Sequence, residues 1–417
     1  MARFLICAVG SAGDVHPFIA IAQALLERGH EVQMLTSPRF RAPVERAGIV
    51  FVPFGSEADY ERLVQLPDLW HPKRGLELVL RELLDRLAES TAATEQLLVR
   101  PKETVLVGST LAWNVRLVQE RLGVPAATVH LSPSCLASAT LPPVLPGVGD
   151  LSWLPIWAVR LLQSASERLL IDPGISPKLN RLRAALGLRP VRRVLSRWMH
   201  SPELVICAWP EWFAPTQADW PEQAVTTGFA LLREAQPSRL DPALADFLEA
   251  GPAPIGLTPG SAMAHGKLFF ARGLEACALT GRRAVLVTPY ADQLPNPLPP
   301  WAHHTAYAPF DALLPRLAAL VHHGGIGTCA EAMVAGVPQV VMPFAHDQFD
   351  NAARLERLGL AVTLKAADPV RRWVRALAQM QTDRAIAMAG AAAEQMRHTT
   401  QSVQQIADRI ERLGRRA

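Results

Sequence analysis

The sequence predicts an α/β protein built from two Rossmann-like halves, and three observations carry that expectation. A strand, loop, helix and second strand can be read between Arg3 and Leu35. The same alternation restarts at Ile255, after a stretch rich in Pro and Trp. Within this second half, an apolar run ending at Val321 stops at two histidines and a glycine-rich turn that opens a helix. Alternating strands and helices imply parallel sheets whose ligand-bearing loops follow the carboxyl ends of the strands. A chain of 417 residues is too long for one ordinary core and suits two domains of about 200 residues each.

The first strand, Arg3 to Val9, runs into the loop GSAGDVHP and a helix from Phe18 to Arg28 that Gly29 ends. A plain structural role for Asp14 would be an N-cap for a helix starting near Pro17. Further strands are read at Glu31 to Leu35, Ile49 to Val52, Val105 to Gly108 and Ala126 to Leu131. Helices are read at Leu111 to Leu122, Ile156 to Leu170 and Pro177 to Leu186. Pro and Ser crowd the segment from Ser132 to Pro155, which reads as loop. The expected division is a first domain over 1–209, a linker over 210–242 and a second domain over 243–398. The second domain begins with a strand to Leu257, a loop over Thr258 to Ser261 and a strand at Ala284 to Val287. Residues 399–417 hold a basic amphipathic helix, Thr399 to Arg415, read as a packed terminal helix with one solvated face.

Composition narrows the function classes. Half of the residues are hydrophobic (49%), so the chain has the apolar content of a folded globular protein. A net charge of +4, with the basic residues dispersed, gives no nucleic-acid footprint. Five scattered cysteines without a CxxC pair read as reduced thiols of a cytoplasmic protein. Residues 1–9 read as a strand rather than a signal peptide, and no apolar run reaches the roughly 20 residues a membrane span needs.

The segment Val321 to Asn351 reads VHHGGIGTCAEAMVAGVPQVVMPFAHDQFDN. Gly324, Gly325 and Gly327 let the backbone approach a ligand, and the N–H groups of Ile326, Gly327 and Thr328 start a helix. Such a helix start holds phosphate groups. Asp347 and Gln348 follow the next strand and offer hydrogen-bonding groups to sugar hydroxyls. The combination reads as a nucleotide-sugar site. No DxD motif stands where a metal-dependent transferase would need one, and Cys329 reads as packing.

These elements, with Glu331 eight residues after His323 and the step Gly336-Val337-Pro338, closely resemble the donor signature of GT-B glycosyltransferases acting on small lipophilic acceptors. The resemblance implies two Rossmann-like α/β domains facing across a cleft. It also implies inverting transfer of a hexose from a nucleotide sugar to a hydroxyl, with no metal and no cofactor. A histidine would meet the diphosphate: counting back from Gly336 selects His323, counting from the glycines selects His322, and both stay open. Glu331 falls at the family's ribose-binding acid, and Gly260-Ser261 resembles the second loop that touches the diphosphate. In such relatives the terminal helix crosses back onto the N-terminal domain. The loop Gly10 to Asp14 resembles the GSxGD loop of sterol and glycopeptide glycosyltransferases. Its Asp stands three residues before a Pro, as Asp14 stands before Pro17, which makes Asp14 the candidate general base and His16 its rival. Gly13, Ser132, Ser134 and Trp198 are the implied acceptor-side residues. One departure is Tyr307-Ala308-Pro309-Phe310, where plant enzymes carry W-x-P-Q against the base.

Further segments, among them LWHPK, HLSPSCLASATLPPV and RWMHSP, resemble the catalytic chains of rhamnolipid rhamnosyltransferases along nearly the whole length. That resemblance implies dTDP-L-rhamnose as donor and a 3-hydroxyalkanoyloxy-alkanoate as lipophilic acceptor. It also implies peripheral contact with the inner membrane or with an enzyme that makes the acceptor. Two alternatives remain: glucosylation of a sterol-like, carotenoid or polyketide alcohol from UDP-glucose, and a catalytically silent nucleotide-sugar-binding partner of a second transferase. The presence of Asp14 argues against the silent partner.

Overall fold

Two separate parallel sheets form in the computed structural model, which describes residues 2–233, 238–397 and 399–415. The first contains β1 (Arg3–Cys7), β2 (Glu31–Thr36), β3 (Val50–Pro53), β4 (Thr104–Ser109), β5 (Ala126–His130), β6 (Leu204–Cys207) and β7 (Ala224–Thr226), in the order β3-β2-β1-β4-β5-β6-β7. Every residue of β4, β5 and β6 is buried. Strands covered by helices on both faces need apolar residues throughout, which is why these runs do not alternate. The second sheet contains β8 (Ile255–Thr258), β9 (Ala284–Val287), β10 (Ala302–Thr305), β11 (Ala319–His322), β12 (Gln339–Val341) and β13 (Ala361–Thr363), in the order β10-β9-β8-β11-β12-β13. Each sheet therefore has one topological switch point, between β1 and β4 and between β8 and β11. Loops at such points diverge to opposite faces and leave a crevice for ligands.

Two compact units contain these sheets: 1–63 with 72–232 and 399–417, and 64–71 with 233–398. The stretch 210–242, expected as a linker, is not one throughout. It supplies β7, which pairs with β6 in register Val205↔Ala224, and the first unit runs on to Leu232. A helix then starts at Pro242, behind the N-cap Asp241. Positions 234–237 of that stretch lie outside the described residues. The first helix also differs, running from Ala12 to Glu27 with Pro17 inside it, rather than starting at Phe18.

The terminal helix, Thr399–Gly414, belongs to the first unit. Ile406, Ala407 and Ile410 are fully buried in one core cluster with Phe4, Phe18 and Val105. Arg28 fastens its outer side, bonding Asp408 at 2.6 Å and Glu411 at 3.1 Å. Because apolar burial supplies more of this attachment than a half-exposed ion pair, Ile410→Ala should cost about 2–5 kcal/mol and Arg28→Ala about 1 kcal/mol or less. Urea midpoints at unchanged slope measure both. Equal losses would mean that the ion pair, not the core, holds the helix.

Candidate nucleotide-sugar site

At the second switch point, β8 and β11 pair in register Leu257↔Val321 and Thr258↔His322. The loop carrying Gly260 and the turn carrying His323 therefore leave the sheet side by side. The helix Ile326–Ala335 starts at the N-cap Gly325, which has no side chain to bond the first N–H groups. Its ladder begins with Cys329 N–H donating to Gly325 C=O at 3.0 Å. The amides of Ile326, Gly327 and Thr328 are left without intrahelical partners, at the positive end of the helix dipole. Cys329 itself is buried, and burial pushes its thiol well above the ordinary range.

The two histidines differ sharply. His322 is fully buried; its Nδ1 accepts from Gly324 N–H at 3.1 Å, so its Nε2 carries the proton and donates to Gln339 Oε1 at 3.0 Å. Both ring nitrogens are consumed inside the protein, which leaves neither for a diphosphate. Burial, with His323 adding a smaller push, lowers its pKa to about 3. His323 instead fills space that two glycines leave open. A Cβ on Gly260 would stand 3.0 Å from its ring, and one on Gly325 would overlap Nε2. Its Nδ1 is buried without a partner. Burial lowers its pKa to about 4, so the ring is neutral at neutral pH.

The segment after β12 is tied to this turn. Asn351, which sequence reading missed, donates from Nδ2 to Gly324 C=O at 3.0 Å and to Asp347 Oδ2 at 2.8 Å. Gln348 is buried, and its Oε1 accepts from the N–H groups of Phe344 at 2.8 Å and Ala345 at 3.1 Å. Only its amide nitrogen remains for a sugar, a narrower role than the sequence suggests. The helix that starts at Gln348 is held by a buried pair, Arg354 to Asp350 at 2.7 Å. Glu331 is half-buried and bonded to Arg233 at 2.7 Å; burial raises its pKa and Arg233 opposes the rise. Ser261 is exposed beside Gly260, and Tyr307 is 73% exposed in the loop after β10.

In the first unit, the loop after β1 folds as a capping box. Ser11 is the N-cap, and Asp14 at the third helical position accepts from Ser11 N–H at 2.7 Å and Ser11 Oγ at 2.9 Å. Asp14 is thus not an N-cap, because the helix begins at Ala12 rather than near Pro17. Gly10, at φ 137°, leaves room for the Asp14 carboxylate, which a Cβ there would overlap. Pro17 has no N–H to give the Gly13 carbonyl. His16 is half-buried and edge-on to Phe40 at 6.3 Å; burial, then Arg46, lowers its pKa.

Other acceptor-side expectations divide. Ser132 and Ser134 follow β5 with their hydroxyls 3.3 Å apart. Trp198 must be corrected: it is a core residue, 7% exposed, with its indole N–H on Glu120 at 2.6 Å and its ring edge-on to Trp113. A buried chain that sequence reading missed runs from Thr110 Oγ1 to His130 Nδ1 at 2.9 Å and from His130 Nε2 to His200 Nδ1 at 2.8 Å. Burial lowers both imidazoles, His200 to about 4.

These buried histidines link stability to pH. The unfolded chain binds protons near the ordinary histidine pKa of 6.5, while His200 and His323 resist protonation down to about 4 and His322 to about 3. Between those values the unfolded state holds more protons, so stability rises with pH in that window and is lost as pH falls. Urea midpoints should be flat above about pH 7 and fall steadily on acidification towards about pH 4. A midpoint that rises over the same interval would require charged imidazoles in the folded protein.

Comparisons with known proteins bear on the fold and the family. Residues 4–140 match the glycosyltransferase family 28 N-terminal domain, and residues 284–413 match the erythromycin biosynthesis protein CIII-like C-terminal domain. O-mycaminosyltylonolide 6-deoxyallosyltransferase of Streptomyces fradiae is 32% identical over 369 residues, covering 86% of this chain and 84% of the relative. The solved glycotransferase of kitacinnamycin superposes with a TM-score of 0.76 at 23% identity, covering 99% of both chains. The glycosyltransferase VinC in complex with dTDP superposes with a TM-score of 0.67 at 19% identity, covering all of both chains. With two parallel-sheet domains and these matches, the chain belongs to the family 28 GT-B glycosyltransferases with a CIII-like C-terminal domain, enzymes for which the nucleotide sugar is a substrate and not a cofactor.

Proposed function

We propose that this glycosyltransferase moves a hexose, with inversion and without a metal, from a dTDP- or UDP-sugar to the hydroxyl of a lipophilic acceptor. The observation that carries the reading is the uncapped helix start at Gly325, flanked by Gly260 and the His323 ring, whose Nε2 edge lies against both glycines. The acceptor oxygen attacks the anomeric carbon as the bond to the diphosphate breaks, and the bonding electrons leave with the diphosphate. The amides of Ile326, Gly327 and Thr328, the helix dipole and a neutral His323 meet that charge as it develops. Asp347, oriented by Asn351, and the Gln348 amide nitrogen bind the sugar, while Glu331 contacts the ribose and Tyr307 lies against the base. Asp14, exposed in the first turn of the helix after β1, receives the acceptor proton.

The chain-long resemblance favours L-rhamnose as the sugar and a hydroxyalkanoyloxy-alkanoate as the acceptor. A second reading, a deoxyhexose placed on a macrolide-type aglycone, is favoured by the 32% identity to the 6-deoxyallosyltransferase. An apolar acceptor site alone does not choose between them, because each buried methylene contributes only about 0.8 kcal/mol and tolerates many shapes.

Asp14→Asn should lower transfer by at least about 100-fold while donor affinity stays within a few-fold, since the base acts on the acceptor. Circular dichroism and calorimetric donor binding check that the altered capping box still folds. A loss of that size in His16→Ala, with Asp14→Asn active, would reverse the assignment.

The substrates are tested by offering dTDP-L-rhamnose, dTDP-glucose and UDP-glucose in EDTA, each with a hydroxyalkanoyloxy-alkanoate, a sterol and a macrolide aglycone. Products are read by mass. We expect dTDP-L-rhamnose with the acyl acceptor to give the most product. Preference for the macrolide would select the second reading, and activity only after Mg²⁺ is restored would overturn metal independence.

A further inference from the structure

We infer that the helix Ile156–Ser166 and the turn before it form a docking face for an anionic lipid bilayer. Among the described residues nineteen large apolar side chains are exposed, and seven of them lie between 153 and 170. Trp153 is 78% exposed, Trp157 70%, Leu161 63%, Leu169 73% and Leu170 74%. This concentration exceeds the scattered exposure of a water-facing surface. The opposite side of the same run is the one that is fixed. Val159 is buried, Glu167 accepts from Ser196 N–H at 2.9 Å, and Asp172 accepts from Arg193 N–H at 2.8 Å. The face turned to solvent is therefore apolar, the reverse of an ordinary surface helix.

Charge identifies the occupant. Between 151 and 201, eight of the nine Lys and Arg residues are exposed, whereas the two carboxylates, Glu167 and Asp172, are buried. Arg160 and Arg168 stand on the same helical run as the exposed leucines. A second copy of this chain would bring the same cations against them, and like charges oppose that pairing. An anionic membrane attracts them, and its interface accepts Trp and Leu side chains. No helix among the described residues is long and apolar enough to cross a membrane, so this run would lie in the interface rather than span it. The face deepens the lipophilic-acceptor reading and rests on it for its purpose, bringing the enzyme to acceptors dissolved in lipid. Binding is measured without donor or acceptor, so either idea can fail alone.

The full-length protein is mixed with sucrose-loaded vesicles of phosphatidylcholine, with or without phosphatidylglycerol at about one-third of the lipid, and sedimented. We expect binding to the anionic vesicles that weakens with salt, and at least about tenfold weaker partitioning for a Trp153→Ser/Trp157→Ser/Leu161→Ser variant with an unchanged circular dichroism spectrum. An Arg160→Gln/Arg168→Gln variant should lose part of the preference for anionic lipid. No sedimentation of the wild type at low salt, or equal sedimentation of the triple variant, would overturn the proposal. So would a wild-type dimer in light scattering that the triple variant abolishes, since the face would then belong to a second copy.

Discussion

The candidate donor site depends on the parallel pairing of β8 with β11, because that register decides which of two adjacent histidines turns inward to Gln339. Successive side chains on a strand point to opposite faces, so a slip of one residue would exchange them. In the observed register His322 turns inward to Gln339 and Gly324, while His323 passes to the other side and settles between Gly260 and Gly325. The two glycines come from neighbouring strand ends, so neither loop can form this cradle alone. Sheet topology, rather than the local turn sequence, is the constraint that shapes the turn.

What surrounds the turn keeps it rigid without adding charge to it. Asn351 joins the Gly324 carbonyl to Asp347, and the buried Asp350–Arg354 pair stiffens the helix on which Asn351 sits. The groups turned towards the ligand are amides and a ring that burial keeps neutral. A buried cation would hold the departed diphosphate as firmly as the transition state. Neutral donors and a helix dipole respond to charge as it develops and release the product more readily. Under the proposed function, the same desolvation that disfavours a charged His323 would serve turnover.

Much of this was legible in the sequence where the signal is local. Glycines after an apolar run mark the donor turn, and strands such as β1, β4 and β9 announce themselves as continuous apolar segments. β7 and β13, three residues each, carry no pattern of their own and exist because a neighbouring strand satisfies their backbone. Partner choice was equally hidden. A Glu at 120 turns Trp198 from a candidate acceptor contact into a core residue, and a Gln at 339 decides the fate of His322. Spacing places a side chain on an element but does not say what meets it from a strand or helix distant in sequence. The capping role of Asp14 lay within reach, since Ser11 three residues before an acid is a capping-box pattern.

That capping box also explains how one topology gives two kinds of site. Both units place a glycine-containing loop and a helix start at a switch point. In the second unit the N-cap is Gly325, no side chain caps the first amides, and an external anion can be held there. In the first unit the helix start already holds an anion of its own, because Asp14 reaches back to Ser11 N–H and Oγ. A diphosphate approaching there would meet a like charge and find the Ser11 N–H already engaged. A neutral alcohol meets no such repulsion. Under the proposed function, a single side chain at the third helical position thus turns an anion-binding helix start into one suited to a neutral acceptor.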